Sequence, residues 1–172
     1  MVQFPGIAAT RSPMYLEPDI PTLRRILGEN RVIAVVGISA HWYRPSHFAA
    51  KYMLDHGYRV IPVNPSYEEV LGQKCYPCLR DIAEKVDIVD CFRKSADIPP
   101  IVDDAIAIGA KVLWMQIGVI NHEAAEKALA AGLEVVMDRC VKIEHARLFG
   151  GLNWIGVNTR VISAKRPRWL PY

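Results

Sequence analysis

The chain has 172 residues, of which 51% are hydrophobic and 23% charged, with 21 basic and 18 acidic side chains. This balance is typical of one folded domain with a sizeable core, and it excludes a disordered chain, a coiled coil and a collagen-like fibre. The net charge of +3 is too small for a dedicated nucleic-acid binder, and four cysteines in a chain of this length do not make a secreted disulfide framework.

The sequence carries no signal for a membrane or for export. No apolar stretch approaches the roughly 20 residues that a transmembrane helix needs. Residues 1–10 lack the charged start and apolar centre of a signal peptide. We therefore expect a soluble cytoplasmic protein that has neither a membrane nor a nucleic acid as its partner.

The predicted elements alternate between helix and strand from residue 18 onward. The first helix repeats apolar residues from Ile20 to Leu27 at helical spacing, and Gly28 is expected to end it. Strands are predicted over residues 31–37, 58–63, 86–92, 111–117 and 133–137. Further helices are predicted over residues 45–56, 79–84, 99–109, 121–131 and 140–148. In the helix over residues 45–56, an apolar stripe is predicted at Phe48, Tyr52 and Met53.

The strand sequences are apolar on both faces, which is typical of a parallel sheet covered on both sides. Repeated strand–helix–strand units imply right-handed crossovers. We therefore predict one α/β domain over residues 18–148: a doubly wound, Rossmann-like open parallel sheet of about five strands with helices on both faces. Residues 1–17 are predicted to be an irregular lead-in.

Residues 149–172 are predicted to form a basic C-terminal tail. We expect it to wrap the surface or to contact a second copy of the chain rather than to bind nucleic acid. Trp154, Trp169 and Leu170 are the candidates for burial in such a homo-oligomer, and a monomer stays open as the alternative.

The turn after the first predicted strand has the features of a phosphate site. In a doubly wound sheet, ligands bind beyond the carboxyl ends of the strands, where the strand order reverses. Gly37 allows a tight exit from the strand, and Pro45 suits the first turn of the next helix, whose N-terminus attracts phosphate. Ser39 and Ser46 add hydroxyl donors, and Arg44 adds a planar positive charge. The alternative is that Ser46 only caps its helix and Arg44 is a solvated surface group.

The fingerprint of a nicotinamide-dinucleotide site is poorly matched. A G-x-G-x-x-G motif starting at Gly37 would need glycines where Ser39 and Trp42 stand. The acidic residue that would hold ribose hydroxyls at the end of the second strand is also missing, because Asn64 and Pro65 stand there. We therefore expect a phosphate-bearing nucleotide other than NAD.

Several short motifs follow one another in an order that resembles one known family. They are VGIS at 36–39, RPS at 44–46, VIPVNP at 60–65, VDCFR at 89–93, WMQIG at 114–118 and MDRCVKIEH at 137–145. Together they resemble the stand-alone CoA-binding domain family, over about residues 20–148. That family is related to the CoA-binding module of succinyl-CoA synthetase α subunits and acyl-CoA synthetases, and it typically lacks their catalytic domains. The resemblance implies binding of CoA or acyl-CoA, a small-molecule nucleotide ligand, in a carrier, sensor or regulatory role rather than a catalytic one.

The resemblance also implies which residues hold the phosphates and the adenosine part. The pyrophosphate turn and its neighbours would comprise Gly37, Ile38, Ser39, Arg44, Pro45 and Ser46. Asn64 and Pro65 would border the adenosine part. This assignment agrees with the chemistry of CoA, whose pyrophosphate and 3′-phosphate need donors and positive charge.

Four further residues are implied at the ends of the later strands. Phe92 and Arg93 would flank the ligand, one by apolar contact and one by charge, and Gln116 and Gly118 would line the path of the pantetheine arm. The alternatives are that Phe92 belongs to the core, that Arg93 pairs with a nearby aspartate (Asp90 or Asp97), and that Gln116 caps a helix.

The cysteines suggest a second line of interpretation. Cys75 and Cys78 have the C-x-x-C spacing of a redox pair or of half a zinc site, but they are predicted in a loop and no second pair follows. Packed or surface thiols are therefore preferred, and no metal site is predicted. A thiol redox protein using Cys75 and Cys78 and an NAD(P)-linked oxidoreductase domain using Arg44 and Arg93 stay open as alternatives.

Cys140 differs because it belongs to the last matched motif. It is predicted at the start of the last helix, where the helix dipole can depress the pKa of a thiol. His145 follows, but a step of five residues does not point both side chains at one spot. We therefore prefer structural packing for Cys140 over a Cys/His nucleophile pair.

Overall fold

A computed structural model describes residues 14–149 as one α/β unit. Its strands are β1 (Val32–Val36), β2 (Arg59–Val63), β3 (Glu69–Val70), β4 (Gln73–Lys74), β5 (Ile88–Cys91), β6 (Val112–Met115) and β7 (Glu134–Val136). Its α-helices are α1 (Ile20–Glu29), α2 (Pro45–Asp55), α3 (Ile98–Ala107), α4 (His122–Ala130) and α5 (Val141–Phe149). The tail residues Trp154, Trp169 and Leu170 lie outside the described residues, so the prediction of an oligomer contact there stays a prediction.

Five of the strands form one parallel sheet in the order β2-β1-β5-β6-β7. Leu23, Ile26 and Leu27 of α1 pack on one face of the sheet together with apolar residues of α2 and α5. Apolar residues of α3 and α4 cover the other face. The prediction of a doubly wound, Rossmann-like sheet of five strands is confirmed.

The strand order reverses between β1 and β5. These two strands are neighbours, but the chain leaves β1 through α2 on one face of the sheet and leaves β5 through α3 on the other. The two connections therefore diverge and open a crevice at the carboxyl ends of the strands. The turn over residues 37–46, named the phosphate turn below, stands at this crevice.

Two local predictions are wrong and one feature was missed. The helix predicted over residues 79–84 is a single 3₁₀ turn (Leu79–Asp81), because the chain becomes extended at Ile82 on its way to β5. An antiparallel β3–β4 pair, which was not predicted, turns through Leu71 and Gly72, both with positive φ. Phe48 is 43% exposed, because α2 turns Ala49, Ala50 and Met53 toward the core instead.

The remaining helix boundaries follow from ordinary capping. Asp19 accepts a hydrogen bond from the N–H of Thr22 at 2.9 Å and so begins α1. The helix runs one residue past Gly28, and Asn30 closes it by donating from Nδ2 to the carbonyl of Ile26 at 2.8 Å. Within residues 14–149, no helix has both the length and the apolar character that crossing a bilayer requires.

Candidate functional site

A cavity of about 810 Å³, named the larger cavity below, opens at the carboxyl ends of β1, β5 and β6. The predicted site residues that line it are Gly37, Ile38, Ser39, Arg44, Pro45, Ser46, Asn64, Phe92 and Gln116. The structure thus brings most of the predicted set together around one space. The size of this cavity falls within the range typical of small-molecule and cofactor sites.

The phosphate turn is held in place by its own serines. The N–H of Ser39 donates to Oγ of Ser46 at 3.1 Å, and Oγ of Ser39 accepts from the N–H of His41 at 3.2 Å. His47 lies 3.0 Å through Nδ1 from the carbonyl oxygen of Ser39, so this nitrogen carries the proton and donates. Ser46 therefore braces the turn, which differs from the helix-capping role considered for it.

Asn64 ties the end of β2 to the phosphate turn. Its Nδ2 donates to the carbonyl of Ile38 at 2.7 Å, and its Oδ1 accepts from the N–H of Ser66 at 2.9 Å. The N–H of Gly37 donates to the carbonyl of Val63 at 2.9 Å, so the ends of β1 and β2 are joined twice. The turn is therefore pre-formed in the protein alone.

Helix α2 begins beside this turn without a side-chain cap. Asp19 caps α1 and Asn121 caps α4, each by accepting from a first-turn N–H, whereas Arg44 precedes α2 and offers no acceptor. The guanidinium of Arg44 is exposed, lies 5.8 Å from the ring centre of Tyr43, and makes no ion pair with a carboxylate within residues 14–149. An unpaired cation and an uncapped helix N-terminus therefore face the same side of the larger cavity.

A second space of about 420 Å³, named the smaller cavity, lies across Gly37 and Asn64 from the larger one. Pro65 and Arg93 line the smaller cavity and are absent from the lining of the larger one. Arg93 forms an ion pair with Asp97 at 3.3 Å, as one of its alternatives anticipated. The two arginines of the NAD(P) alternative thus stand in different cavities.

Gly118 lines neither cavity within the described residues. Its N–H donates to Oδ1 of Asp138 at 2.7 Å, which joins the loop after β6 to the loop after β7. A role for Gly118 beside the pantetheine arm stays a prediction.

The inner wall of the larger cavity contains a buried polar group. Gln116 is 4% exposed and donates from Nε2 to Oδ1 of Asp90 at 2.7 Å. Asp90 is 1% exposed in the middle of β5, and burial raises the pKa of its carboxyl to about 7, against the smaller lowering from Gln116. Gln116 therefore serves a buried carboxyl rather than a helix cap.

Cys140 also lines the larger cavity, just before α5. Burial raises the pKa of its thiol, so the lowering that the helix dipole can give does not prevail, in line with the preference for structural packing. The N–H groups of Ile143 and Lys142 do favour the thiolate, but loss of water outweighs them. His145 bonds instead to the hydroxyl of Tyr52 at 3.1 Å, so no Cys/His pair forms.

The Cys75 and Cys78 thiols are both free and engage different partners. Sγ of Cys75 donates to the carbonyl of Asn64 at 3.4 Å, and Sγ of Cys78 donates to Asp81 at 3.1 Å. Burial raises the pKa of Cys75, which makes its thiolate scarce at neutral pH. Nothing in this pair supports the thiol redox alternative.

Several lining residues were not predicted as contacts. Those of apolar or aromatic type are Phe48, Tyr67, Ile117, Val119 and Ile143. Ile117 and Val119 stand directly after β6, so their position at a strand end was the available signal. Phe48 gave a misleading signal, because its spacing matched a core stripe. These side chains add apolar surface to the lining of the larger cavity.

Three comparisons place the chain among known proteins. A model of the family described as CoA binding domain matches residues 31–146. YneT of Bacillus subtilis, an uncharacterized protein, is 40% identical over 129 residues, which cover 75% of this chain and 96% of YneT. A hypothetical protein from Pyrococcus horikoshii OT3 is 42% identical with a TM-score of 0.75, and the match covers 86% of this chain and 99% of that one.

A more distant match reaches a much longer protein. Acetate–CoA ligase (ADP-forming) I of Archaeoglobus fulgidus is 26% identical over 121 residues, which cover 64% of this chain and 18% of the ligase. The similarity therefore concerns one module of that ligase.

Proposed function

The chain belongs to the CoA-binding domain family, and from this premise we propose that its larger cavity binds coenzyme A or an acyl-CoA, with the protein acting as a carrier, sensor or regulatory module. The resemblance seen in the sequence motifs is confirmed at the level of the family. The ligand, the role and the site residues are the content of the proposal.

The observation that carries the proposal is the unpaired positive character at the phosphate turn. Arg44 has no carboxylate partner within the described residues, and α2 begins there without a side-chain cap. An anionic ligand would accept from the guanidinium and from the N–H of Ser46, because Pro45 has no N–H and those of His47 and Phe48 already donate to the carbonyl of Arg44. The hydroxyl of Ser39 lines the same cavity and can donate to a third oxygen.

The remainder of the larger cavity suits the pantetheine arm. This arm alternates apolar carbon with two amide groups, and it needs a mostly apolar channel with a few polar partners. Phe92, Ile117 and Val119 supply the apolar lining, and Gln116 supplies a buried amide. The adenosine end would extend past Gly37 and Asn64 into the smaller cavity, where Pro65 and the Asp97-paired Arg93 line the wall.

The lining of the two cavities suits NAD(P) less well than CoA. A ribose with free hydroxyls is normally held by a carboxylate at the end of the second strand. Asn64 stands at that position, and its side-chain amide already bonds to Ile38 and Ser66. Glu68 and Glu69 are exposed and line neither cavity.

The test is calorimetric titration of the full chain with CoA, acetyl-CoA, NAD and NADP. We expect heat of binding with the first two ligands and none with the nicotinamide cofactors at the same concentration. Binding of NAD or NADP alone would overturn the proposal in favour of the dehydrogenase class. The purified protein can also be denatured and the released small molecules identified by mass spectrometry. We expect CoA or an acyl-CoA among them. A cytoplasmic location stays a prediction.

A further inference from the structure

Arg93 is the one cation that lines the smaller cavity among the residues that the structure describes. Its stem passes over the phosphate turn, because a Cβ built on Gly37 would stand 3.2 Å from Cγ of Arg93. Gly37 and Asn64 line both cavities, so a ligand that spans the two passes beside Gly37. The side chain of Arg93 therefore stands where such a ligand enters the smaller cavity from the phosphate turn.

Helix α3 begins beside the smaller cavity but offers no backbone donors to it from its first turn. Pro99 and Pro100 stand in that turn and have no N–H, and the N–H of Ile98 already donates to the carbonyl of Ser95. The N-terminus of this helix therefore lacks the free N–H groups that bind phosphate at other helices. A phosphate in the smaller cavity depends on the guanidinium of Arg93.

Asp97 is the partner of Arg93 in the structure. Nη2 of Arg93 lies 3.3 Å from Oδ2 of Asp97, and the two side chains are 49% and 40% exposed. Asp97 precedes α3 at the N-cap position, yet its carboxylate makes no capping hydrogen bond. Ion pairs as exposed as this one contribute little free energy. Arg93 can therefore leave the carboxylate for a more highly charged anion at small cost.

The smaller cavity has two carboxylates in its lining, and each has a cation as its partner. Asp104 is paired with Arg80, whose Nε lies 2.5 Å from Oδ1. Asp97 is paired with Arg93. When Arg93 turns to a phosphate, Asp97 is the carboxylate that loses its counter-ion. The cavity therefore favours an anion that binds the guanidinium better than a carboxylate does, and it disfavours a weaker one.

The third phosphate of CoA is an anion of this kind. It is attached to C3′ of the same ribose that carries the pyrophosphate, so one sugar separates the two groups. A pyrophosphate at the phosphate turn would bring the 3′-phosphate past Gly37 to the side of Arg93. As a monoester it carries nearly two negative charges at neutral pH, and a guanidinium can bind it through two parallel N–H groups.

We propose that Arg93 recognises the 3′-phosphate of CoA and that Asp97 is the counter-ion that Arg93 exchanges for this phosphate. The inference rests on the proposed function and narrows its ligand. The site selects 3′-phosphorylated coenzymes against dephospho-CoA and other nucleotides whose ribose is unmodified. Lys94, the next cation along the chain, is exposed and lines neither cavity, so it takes no part in this selection.

The experiment is calorimetric titration of the full chain with CoA and with dephospho-CoA, which differ by the 3′-phosphate alone. The parent chain should bind CoA about 10-fold more tightly than dephospho-CoA. The diagnostic variant is Arg93→Met, which keeps an unbranched stem over Gly37 and removes the guanidinium. Its affinity for CoA should fall to that for dephospho-CoA, while dephospho-CoA should bind it as tightly as it binds the parent. Binding of dephospho-CoA also shows that the variant is folded.

Lys94→Met is the matched control and should keep the preference of the parent for CoA. Asp97→Asn tests the exchange of counter-ions. It should bind CoA about 3-fold more tightly than the parent, because Arg93 no longer leaves a carboxylate and the phosphate no longer lies beside one. Weaker binding of CoA to Asp97→Asn would overturn the exchange, since it would show that Asp97 positions Arg93 for the ligand.

The two ligands separate this inference from the proposed function. Equal affinities of the parent chain for CoA and dephospho-CoA would overturn the role of Arg93 and leave CoA binding intact. A preference for CoA that persists in Arg93→Met, or an equal loss of both ligands in that variant, would overturn it too. Absence of CoA binding to the parent chain would overturn the proposed function and, with it, this inference.

Discussion

A Cβ on Gly37 would lie 2.5 Å from the carbonyl oxygen of Phe92, closer than real Cβ atoms come to any neighbour. It would also lie 2.7 Å from Cδ of Arg93. Gly37 has φ +84°, so both its backbone conformation and its missing side chain are needed where β1 passes β5. This close approach brings the phosphate turn against the end of the central strand.

Gly37→Ala should therefore cost about 2–4 kcal/mol of the free energy of unfolding, from backbone strain plus overpacking. Gly57→Ala is the matched control, because Gly57 has φ +85° but nothing within 4 Å of the added carbon. That control should lose about 1 kcal/mol, from strain alone. Urea unfolding of both variants measures the difference, and equal losses would show that the contact with Phe92 relaxes freely.

Arg44→Ala should weaken CoA binding about fivefold without loss of the fold, because it removes an exposed cation that faces the ligand phosphates. The control is Lys51→Ala on the same helix, whose ammonium is already paired with Asp55 at 2.8 Å. Calorimetric titration of each variant gives the affinity. If Arg44→Ala and the parent bind CoA equally, the phosphate turn is not where the phosphates lie.

Asp90→Asn should remove a pH dependence of stability. The folded state holds the Asp90 proton up to about pH 7, whereas the unfolded chain releases it near its ordinary, lower value. The free energy of unfolding therefore falls as pH rises from about 4 to about 7, by about 1.4 kcal/mol per unit from this group. Above about pH 8 the free energy of unfolding of the variant should exceed that of the parent by ~2–4 kcal/mol.

Urea unfolding of the parent and of Asp90→Asn at several pH values tests this. Burial lowers the pKa of His145, which removes stability as pH falls below the ordinary imidazole value and so acts in the opposite direction. The difference between the two proteins cancels that contribution. Parallel curves across this pH interval would mean that Asp90 is ionised in the folded protein.

Trp114→Phe should cost about 2–4 kcal/mol, because it leaves the carbonyl of Arg139 without its donor and opens a void in the core. Thermal unfolding of the variant and the parent measures this loss. An unchanged melting temperature would show that the carbonyl of Arg139 finds another donor and that the void closes.

The sheet could be predicted because its pattern is local. The sequence from Val32 to Val36 is a short apolar run typical of a strand buried on both faces, and the same holds for Val112 to Met115. The β3–β4 pair had no such signal. Leu71 occupies a positive-φ turn position that favours asparagine, aspartate or glycine, and tertiary packing imposes that conformation.

The sequence predicts which chain segments reach the site better than it predicts which cavity each side chain lines. Strand ends after β1, β2, β5 and β6 all reach the crevice, as the doubly wound topology requires. The division into two cavities could not be foreseen, because the lining of the smaller one includes Leu79 and Pro100, which lie far from the strand ends in sequence. The partial burial of Cys140, which outweighs the N–H groups of α5 in setting its thiol pKa, likewise depends on tertiary packing.

The hydrogen bonds of Asn64 also extend beyond the larger cavity. Its Nδ2 holds the carbonyl of Ile38, its backbone N–H donates to the carbonyl of Tyr76 at 2.9 Å, and the N–H of Tyr76 donates to Pro62 at 2.9 Å. Tyr76 itself lies outside the lining of both cavities. A ligand that reduces the motion of the phosphate turn should therefore slow deuterium uptake at the amides of Asn64 and Tyr76. Exchange at this outer segment would then report, from a distance, whether the larger cavity holds a ligand.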